Sequence, residues 1–186
     1  MEVAKKLNED HHVDVISTFM GAHAIPPKYK DNPREFIDLI IQKMIPEVEK
    51  RGLAKFCDVF CEKGVFTIEE TKEILEAGMK HGLLPKVHAD EIEPLGGAEL
   101  AAEVGCITAD HLVAASDRGI DMMAEKGVIA NLLPATSFNL QIEKFARAKT
   151  MIERGVPVAI STDYNPGSCP TENMQLVMNF ASIIMR

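Results

Sequence analysis

The sequence predicts an α/β fold: a partial (β/α) barrel of about six parallel strands with flanking helices. Three observations lead there. A short apolar run, an amphipathic stretch and a Gly or Pro succeed one another along the whole chain, and six such runs are present. A complete eightfold barrel takes about 250 residues, or about 31 per unit, so a chain of 186 residues holds about six units. Neither G-x-G-x-x-G nor a Walker A pattern follows the first run, which argues against an open, doubly wound nucleotide-binding sheet.

The runs cover residues 13–20, 54–60, 84–88, 106–112, 128–133 and 156–162. Most read as apolar on both faces, the mark of strands buried inside a parallel sheet. Helices fall between them. Asn32-Pro33-Arg34-Glu35 offers an N-cap, a proline at the first helical position and a capping-box Glu. The stripe Phe36, Ile37, Ile40, Ile41, Met44, Ile45, Val48 follows at helical spacing, with Pro46 set to bend or break it. Thr67-Ile68-Glu69-Glu70 is a second capping box and opens a helix that runs to Gly82. Further helices are expected over 97–103, 116–127 and 142–155. A last one is expected over 171–186, with Leu176, Val177, Phe180, Ile183 and Ile184 on one face. Met122, Met123, Met174 and Met178 recur at helical spacing as core filler. A helical stretch at 3–8 begins abruptly with no strand before it. The chain therefore reads as a single incomplete barrel domain over 1–186, cut from a longer protein.

Composition narrows the class of function. At 46% apolar and 26% charged the chain is an ordinary globular one, not disordered or fibrous. No run of ~18 apolar residues is present, and the first ten residues carry no secretory apolar core. The net charge of −8 disfavours nucleic acid as a partner. The expectation is a soluble cytoplasmic protein that engages neither membrane nor nucleic acid. Cys57, Cys61, Cys106 and Cys169 form no C-x-x-C pair; they read as reduced, buried small hydrophobes, not as a zinc site.

The polar residues that end the runs carry the chemistry. The first run ends Gly21-Ala22-His23-Ala24 and the third Lys86-Val87-His88-Ala89-Asp90-Glu91. The fourth ends Ala109-Asp110-His111-Leu112, the fifth Pro134-Ala135-Thr136-Ser137, and the sixth Ser161-Thr162-Asp163-Tyr164-Asn165-Pro166-Gly167-Ser168. A barrel gathers the C-terminal ends of its strands into one mouth. Neutral imidazoles and a carboxylate from separate strands can there hold a catalytic metal that keeps a position open for water. Taken singly, each is ordinary: Asp163 fits an Asx turn, and Glu91 and Glu93 fit a solvated surface. Their repetition over successive strands is what points to a site. His11, His12 and His81 lie outside this pattern and read as solvated.

These stretches, together with Ser17-Thr18-Phe19-Met20-Gly21-Ala22-His23-Ala24, resemble imidazolonepropionase, a metal-dependent family of the amidohydrolase superfamily. The order and spacing of five motifs over essentially the whole chain make the resemblance specific. It implies a distorted TIM-like (β/α) barrel, of which this chain would hold strands three to eight. It implies hydrolysis of 4-imidazolone-5-propanoate to N-formimidoyl-L-glutamate in cytoplasmic histidine degradation, with zinc or iron as the metal. By position, His88 and Asp163 would be metal ligands. Glu91 would touch substrate and help activate the water, and His111 would assist the proton transfer or polarise the carbonyl. His23 would bind substrate, and Asn165, Gly167 and Ser168 would hold its propanoate tail.

One departure stands out. The family carries an H-x-H pair of metal ligands at its first barrel strand, and no H-x-H occurs here. With two of the family's four ligands, the chain alone is expected to bind metal weakly and to turn over little or no substrate. Two open strand edges are expected to drive it into a homo-oligomer. Three other readings compete: another amidohydrolase such as a nucleobase-type deaminase, a non-catalytic truncated remnant, and a nucleotide-binding α/β protein.

Overall fold

The computed structural model describes residues 1–185. Six strands form one sheet: β1 (Thr18–Ala22), β2 (Phe56–Cys61), β3 (Leu84–Ala89), β4 (Thr108–His111), β5 (Ile129–Leu132) and β6 (Val158–Ile160). Every neighbouring pair is parallel, and the strands lie in chain order from β1 to β6. A doubly wound sheet would reverse its strand order part-way. This one does not, as the barrel reading requires.

The helices are α1 (Glu2–Asp10), α2 (Pro33–Leu39), α3 (Ile45–Arg51), α4 (Ile68–Lys80), α5 (Gly97–Val104), α6 (Asp117–Lys126), α7 (Pro134–Asn139), α8 (Ala148–Glu153) and α9 (Met174–Ile184). Between α2 and α3 the chain stays helical but widens into a π-turn over Ile40–Met44. Pro46 has no amide hydrogen, and its ring would crowd the carbonyl one turn back, so the wider turn lets the helix continue through it. The capping box at Thr67 and Glu70 forms with both of its hydrogen bonds. The one expected at Asn32 and Glu35 does not: Pro33 takes the first helical position, but the Asn32 side chain makes no capping bond.

The strand runs prove two-faced, correcting the expectation of strands apolar on both sides. Phe19, Cys57, Val59, Cys61, Val87, Ala89, Ala109 and Ala130 are buried under the helices. The residues between them on β2 to β5 are Asp58, Phe60, Lys86, His88, Thr108, Asp110 and Asn131, and register aligns Phe60, His88, Asp110 and Asn131 across the sheet. One face makes the core and the other carries polar groups, as period-2 alternation dictates. Small residues let the helices approach. A Cβ on Gly97 would stand 2.8 Å from Ala89 Cβ, and one on Gly78 would stand 2.9 Å from Cys57 Cβ. All four cysteines are free and buried. Burial pushes the Cys57 thiol up to about 12 and the Cys61 thiol up to about 11, so both behave as inert apolar groups.

Three expectations about helices need correction. Pro134–Asn139 is helical, because Pro134 pre-sets the backbone of a first turn right after β5. The helix expected over 142–155 is confined to Ala148–Glu153. The last helix starts at Met174 with Asn173 as its N-cap, and of the expected apolar face only Val177 is buried. Ile183 is 62% exposed and Met178 56%, because none of the described residues packs over that side; Met123 alone of the four methionines is fully buried.

Candidate functional site

The C-terminal ends of the strands bring together the side chains that the sequence singles out. The His23 ring stacks on Phe60 with centroids 5.1 Å apart. Its other neighbour is His88, edge-on at 5.3 Å, and His88 lies 5.2 Å from His111. Glu91 Oε1 stands 3.6 Å from His111 Nδ1. Asp163 accepts a 2.6 Å hydrogen bond from the Thr136 hydroxyl, which orients its carboxylate. Five strand endings thus supply His23, His88, Glu91, His111, Thr136 and Asp163 to one mouth.

The backbone at these ends is unusual. Asp90, His111, Leu112 and Asp163 all have positive φ, between 49° and 74°. Non-glycine residues hold that conformation only where surrounding structure compels it, and such strain gathers at functional sites. At Asp90 the compulsion is visible. Its carboxylate accepts four backbone N–H bonds, from Leu95, Gly96, Gly97 and Ala98, at 2.8–3.0 Å. This closes the loop beside Glu91 onto the start of α5. Glu62 ties the same loop from the β2 side by accepting from the Ile92 amide at 3.0 Å.

Burial sets the electrostatics. It pushes the His111 imidazole down to about 3, with His88 and His23 adding like-charge repulsion, so His111 is a neutral ring. Burial and His88 also lower His23. Burial raises the Glu91 carboxyl, helped by Asp163 and Glu62 and opposed by His88. For His88 burial pulls down, but its hydrogen bond to Asp58 and that residue's charge outweigh burial, and the net direction is up.

Neutral imidazoles and a carboxylate are the donors that zinc and iron accept, so the residues present fit a divalent metal ion. His88 Nδ1 is engaged by Asp58 Oδ1 at 2.8 Å, so Nε2 is the ring nitrogen not held by that bond. Among the described residues, donor atoms of Asp58, His88 and Asp110 also lie within 4.8 Å of one another. Lys86 Nζ stands 3.2 Å from Asp110 and 3.8 Å from Asp58, so an ammonium already sits among those carboxylates.

The loop after Asp163 is satisfied from within. Asn165 Oδ1 accepts from the amides of Gly167 at 2.9 Å and Ser168 at 2.7 Å, and Asn165 Nδ2 donates to the Ser168 hydroxyl at 2.8 Å. Its three expected substrate-binding residues therefore form one closed turn. His81 caps the C-terminal end of α4, ahead of the N-terminal end of β3, and bonds to Glu49 across 2.5 Å. Asp58 and Phe60 carry no polar strand-end signal. The only trace of Asp58 in the sequence is an acid in the middle of an apolar run.

No family model matches the chain. Individual proteins do. It is 62% identical over 185 residues to an imidazolonepropionase of Brevibacillus brevis, covering 100% of this chain and 43% of that protein. It is 56% identical over 186 residues to one of Alkaliphilus metalliredigens, covering 44% of it, and 61% identical to one of Geobacillus thermodenitrificans, again covering 44%. The chain thus spans less than half the length of the relatives it matches. Among solved structures, a zinc-bound adenosine deaminase from Xanthomonas campestris superposes with a TM-score of 0.71 at 14% identity, covering 99% of this chain and 44% of that one. An adenine deaminase from Arthrobacter aurescens gives 0.68 at 14% identity, covering 97% and 55%. At such identities the likeness to the deaminases shows a shared fold alone. Along its whole length this chain is similar in sequence to imidazolonepropionases, and it corresponds to a stretch of somewhat under half of each of them.

Proposed function

We propose that this chain forms part of the mouth of a cytoplasmic hydrolase that opens the ring of 4-imidazolone-5-propanoate with water, giving N-formimidoyl-L-glutamate. The observation that carries this is the convergence of His23, His88, Glu91, His111 and Asp163 from four strand endings, in a chain 62% identical to an imidazolonepropionase.

His88 through Nε2 and Asp163 through its carboxylate would hold zinc or iron. When bound, such an ion lowers the pKa of water from roughly 16 to about 7. The chain's own residues do the rest. Glu91, its carboxyl raised by burial, takes a proton from the attacking water and returns it to the leaving ring nitrogen. His111, neutral and buried against Glu91, polarises the ring carbonyl and steadies that transfer. His23, held flat against Phe60, presents an imidazole to the substrate ring. At the rim, the substrate carboxylate replaces Asn165 Oδ1 as acceptor for the Gly167 and Ser168 amides and the Ser168 hydroxyl. Alone, the chain lacks an H-x-H pair, so it binds metal weakly and turns over little or nothing.

The decisive experiment grafts this chain into the Brevibacillus brevis enzyme in place of the matching 185 residues. The hybrid should consume imidazolonepropanoate and lose that activity on His88→Ala or Asp163→Ala. A folded, metal-loaded hybrid that leaves the substrate intact would overturn the reading.

A further inference from the structure

Asp58 lies in the middle of β2, is 2% exposed, and faces away from the helices. A carboxylate there costs desolvation that an apolar residue would avoid. Its surroundings show what it is used for. Asp58 Oδ1 meets His88 Nδ1 at 2.8 Å, and a carboxylate oxygen only accepts, so in the neutral ring Nδ1 carries the proton and Nε2 keeps its lone pair. The aspartate is itself held. Lys86 Nζ stands 3.8 Å from Asp58 Oδ2, which has no hydrogen-bond partner among the described residues, and donates to Asp110 Oδ2 at 3.2 Å. Thr108 in turn donates to Asp110 Oδ1 at 2.9 Å. The whole cluster is buried or nearly so.

We propose that Asp58 is a positioning residue that fixes His88 in its Nδ1–H tautomer, so that Nε2, on the far side of the ring, is the nitrogen offered to the metal ion. This rests on the reading of His88 as a metal ligand. Asp58 does not ligate the metal itself: the Lys86 ammonium already occupies the space between the two carboxylates. Hydrogen bonds from a metal-ligating histidine to a carboxylate recur because they set ring orientation and raise ligand basicity.

The test is the isosteric D58N. Lys86 can only donate, so it draws the amide oxygen to itself and turns the amide nitrogen toward His88. His88 Nδ1 must then accept, and the proton moves to Nε2. Histidine 15N NMR of the metal-free chain, in the alkaline range where imidazole is neutral, reads the tautomer directly, with H88Q assigning the resonance. The expected result is Nδ1–H in the parent chain, Nε2–H in D58N, and Nδ1–H again in K86M/D58N, where the amide is free to turn back. Zinc affinity, measured by competition with a chromophoric chelator, should fall roughly 10–100-fold in D58N. An Nε2–H parent chain, or a D58N whose tautomer does not move, overturns the proposal. The parent spectrum alone decides this if D58N does not fold. A tautomer that flips as expected while zinc uptake by the hybrid enzyme is unchanged by His88→Ala would instead sink the metal reading of His88 and leave Asp58's hold on the ring standing.

Discussion

Around β3 and β4 the mouth is walled by fully buried groups; around β6 it is half open. His88, Asp90 and His111 are buried, and each has a polar partner on a neighbouring segment: Asp58 of β2, the amides before α5, and Glu91. Asp163 is half-buried, and β6 is three residues long with none of them buried. The cores beneath differ in the same way. The helices α4, α5 and α6 pack against β2 to β5 through one continuous apolar cluster, whereas Ala135, Cys169 and Val177 form a separate small one under α9. The difference teaches that one side of the mouth is held by its own core, while the β6 side depends on a few contacts.

The largest expected effect tests that division directly. Phe66→Ala empties a fully buried site of the main cluster and should cost about 3–5 kcal/mol in urea unfolding. Val177→Ala, in the small cluster, should cost about 1–2 kcal/mol, since it removes two methyl groups at a site with room to relax. Equal costs would mean that the two clusters unfold as one.

Asp90→Ala comes next. It leaves four amides of residues 95–98 without their acceptor and should cost about 3 kcal/mol. Hydrogen exchange separates this from general loosening: those four amides should lose protection first, while the β2 and β3 amides keep theirs. Uniform loss would show that the Asp90 loop is not a local device. Gly97→Ala should cost about 1–3 kcal/mol, because its Cβ would press on Ala89 Cβ at 2.8 Å and on the Asp90 amide at 3.4 Å, forcing α5 away from β3. A neutral Gly97→Ala would mean that this side is not packed tightly enough to hold Glu91 in place.

The same contrast marks what the sequence makes legible. The six strands and their parallel order follow from apolar runs separated by helical spacing and capping signals. His23, His88, His111 and Asp163 are visible because each stands where a run stops. Asp58 is invisible by that logic: it sits inside the run, and only the register of β2 with β3 sets it opposite Lys86 and, diagonally, within reach of His88. Asp90 shows as part of a polar ending, but its four bonds depend on a left-handed backbone and a loop closure that no spacing encodes. Near β6 the helical period of α9 is real, yet a period says which residues share a face, not whether anything in the chain covers it. That is why Leu176, Ile183 and Ile184 form a stripe and remain exposed.

The smallest effect on stability is expected on that stripe, and there the readout is association. Ile183 stands on the outer side of α9, next to the groove of about 790 Å³ that Ile152, Ile160, Met178 and Met185 line between α8, β6 and α9. Ile183→Ser removes no buried contact, so the urea midpoint should move by less than about 0.5 kcal/mol. The exposed apolar face and the open edges of β1 and β6 should make the parent chain self-associate, because unpaired strand edges and contiguous exposed apolar side chains seek cover. Light scattering at increasing concentration should show a mass that rises for the parent chain and rises less for Ile183→Ser. An unchanged mass curve would place the association at the strand edges instead. A parent chain that stays monomeric would show that the β6 side, sparse as it is, is stable without cover.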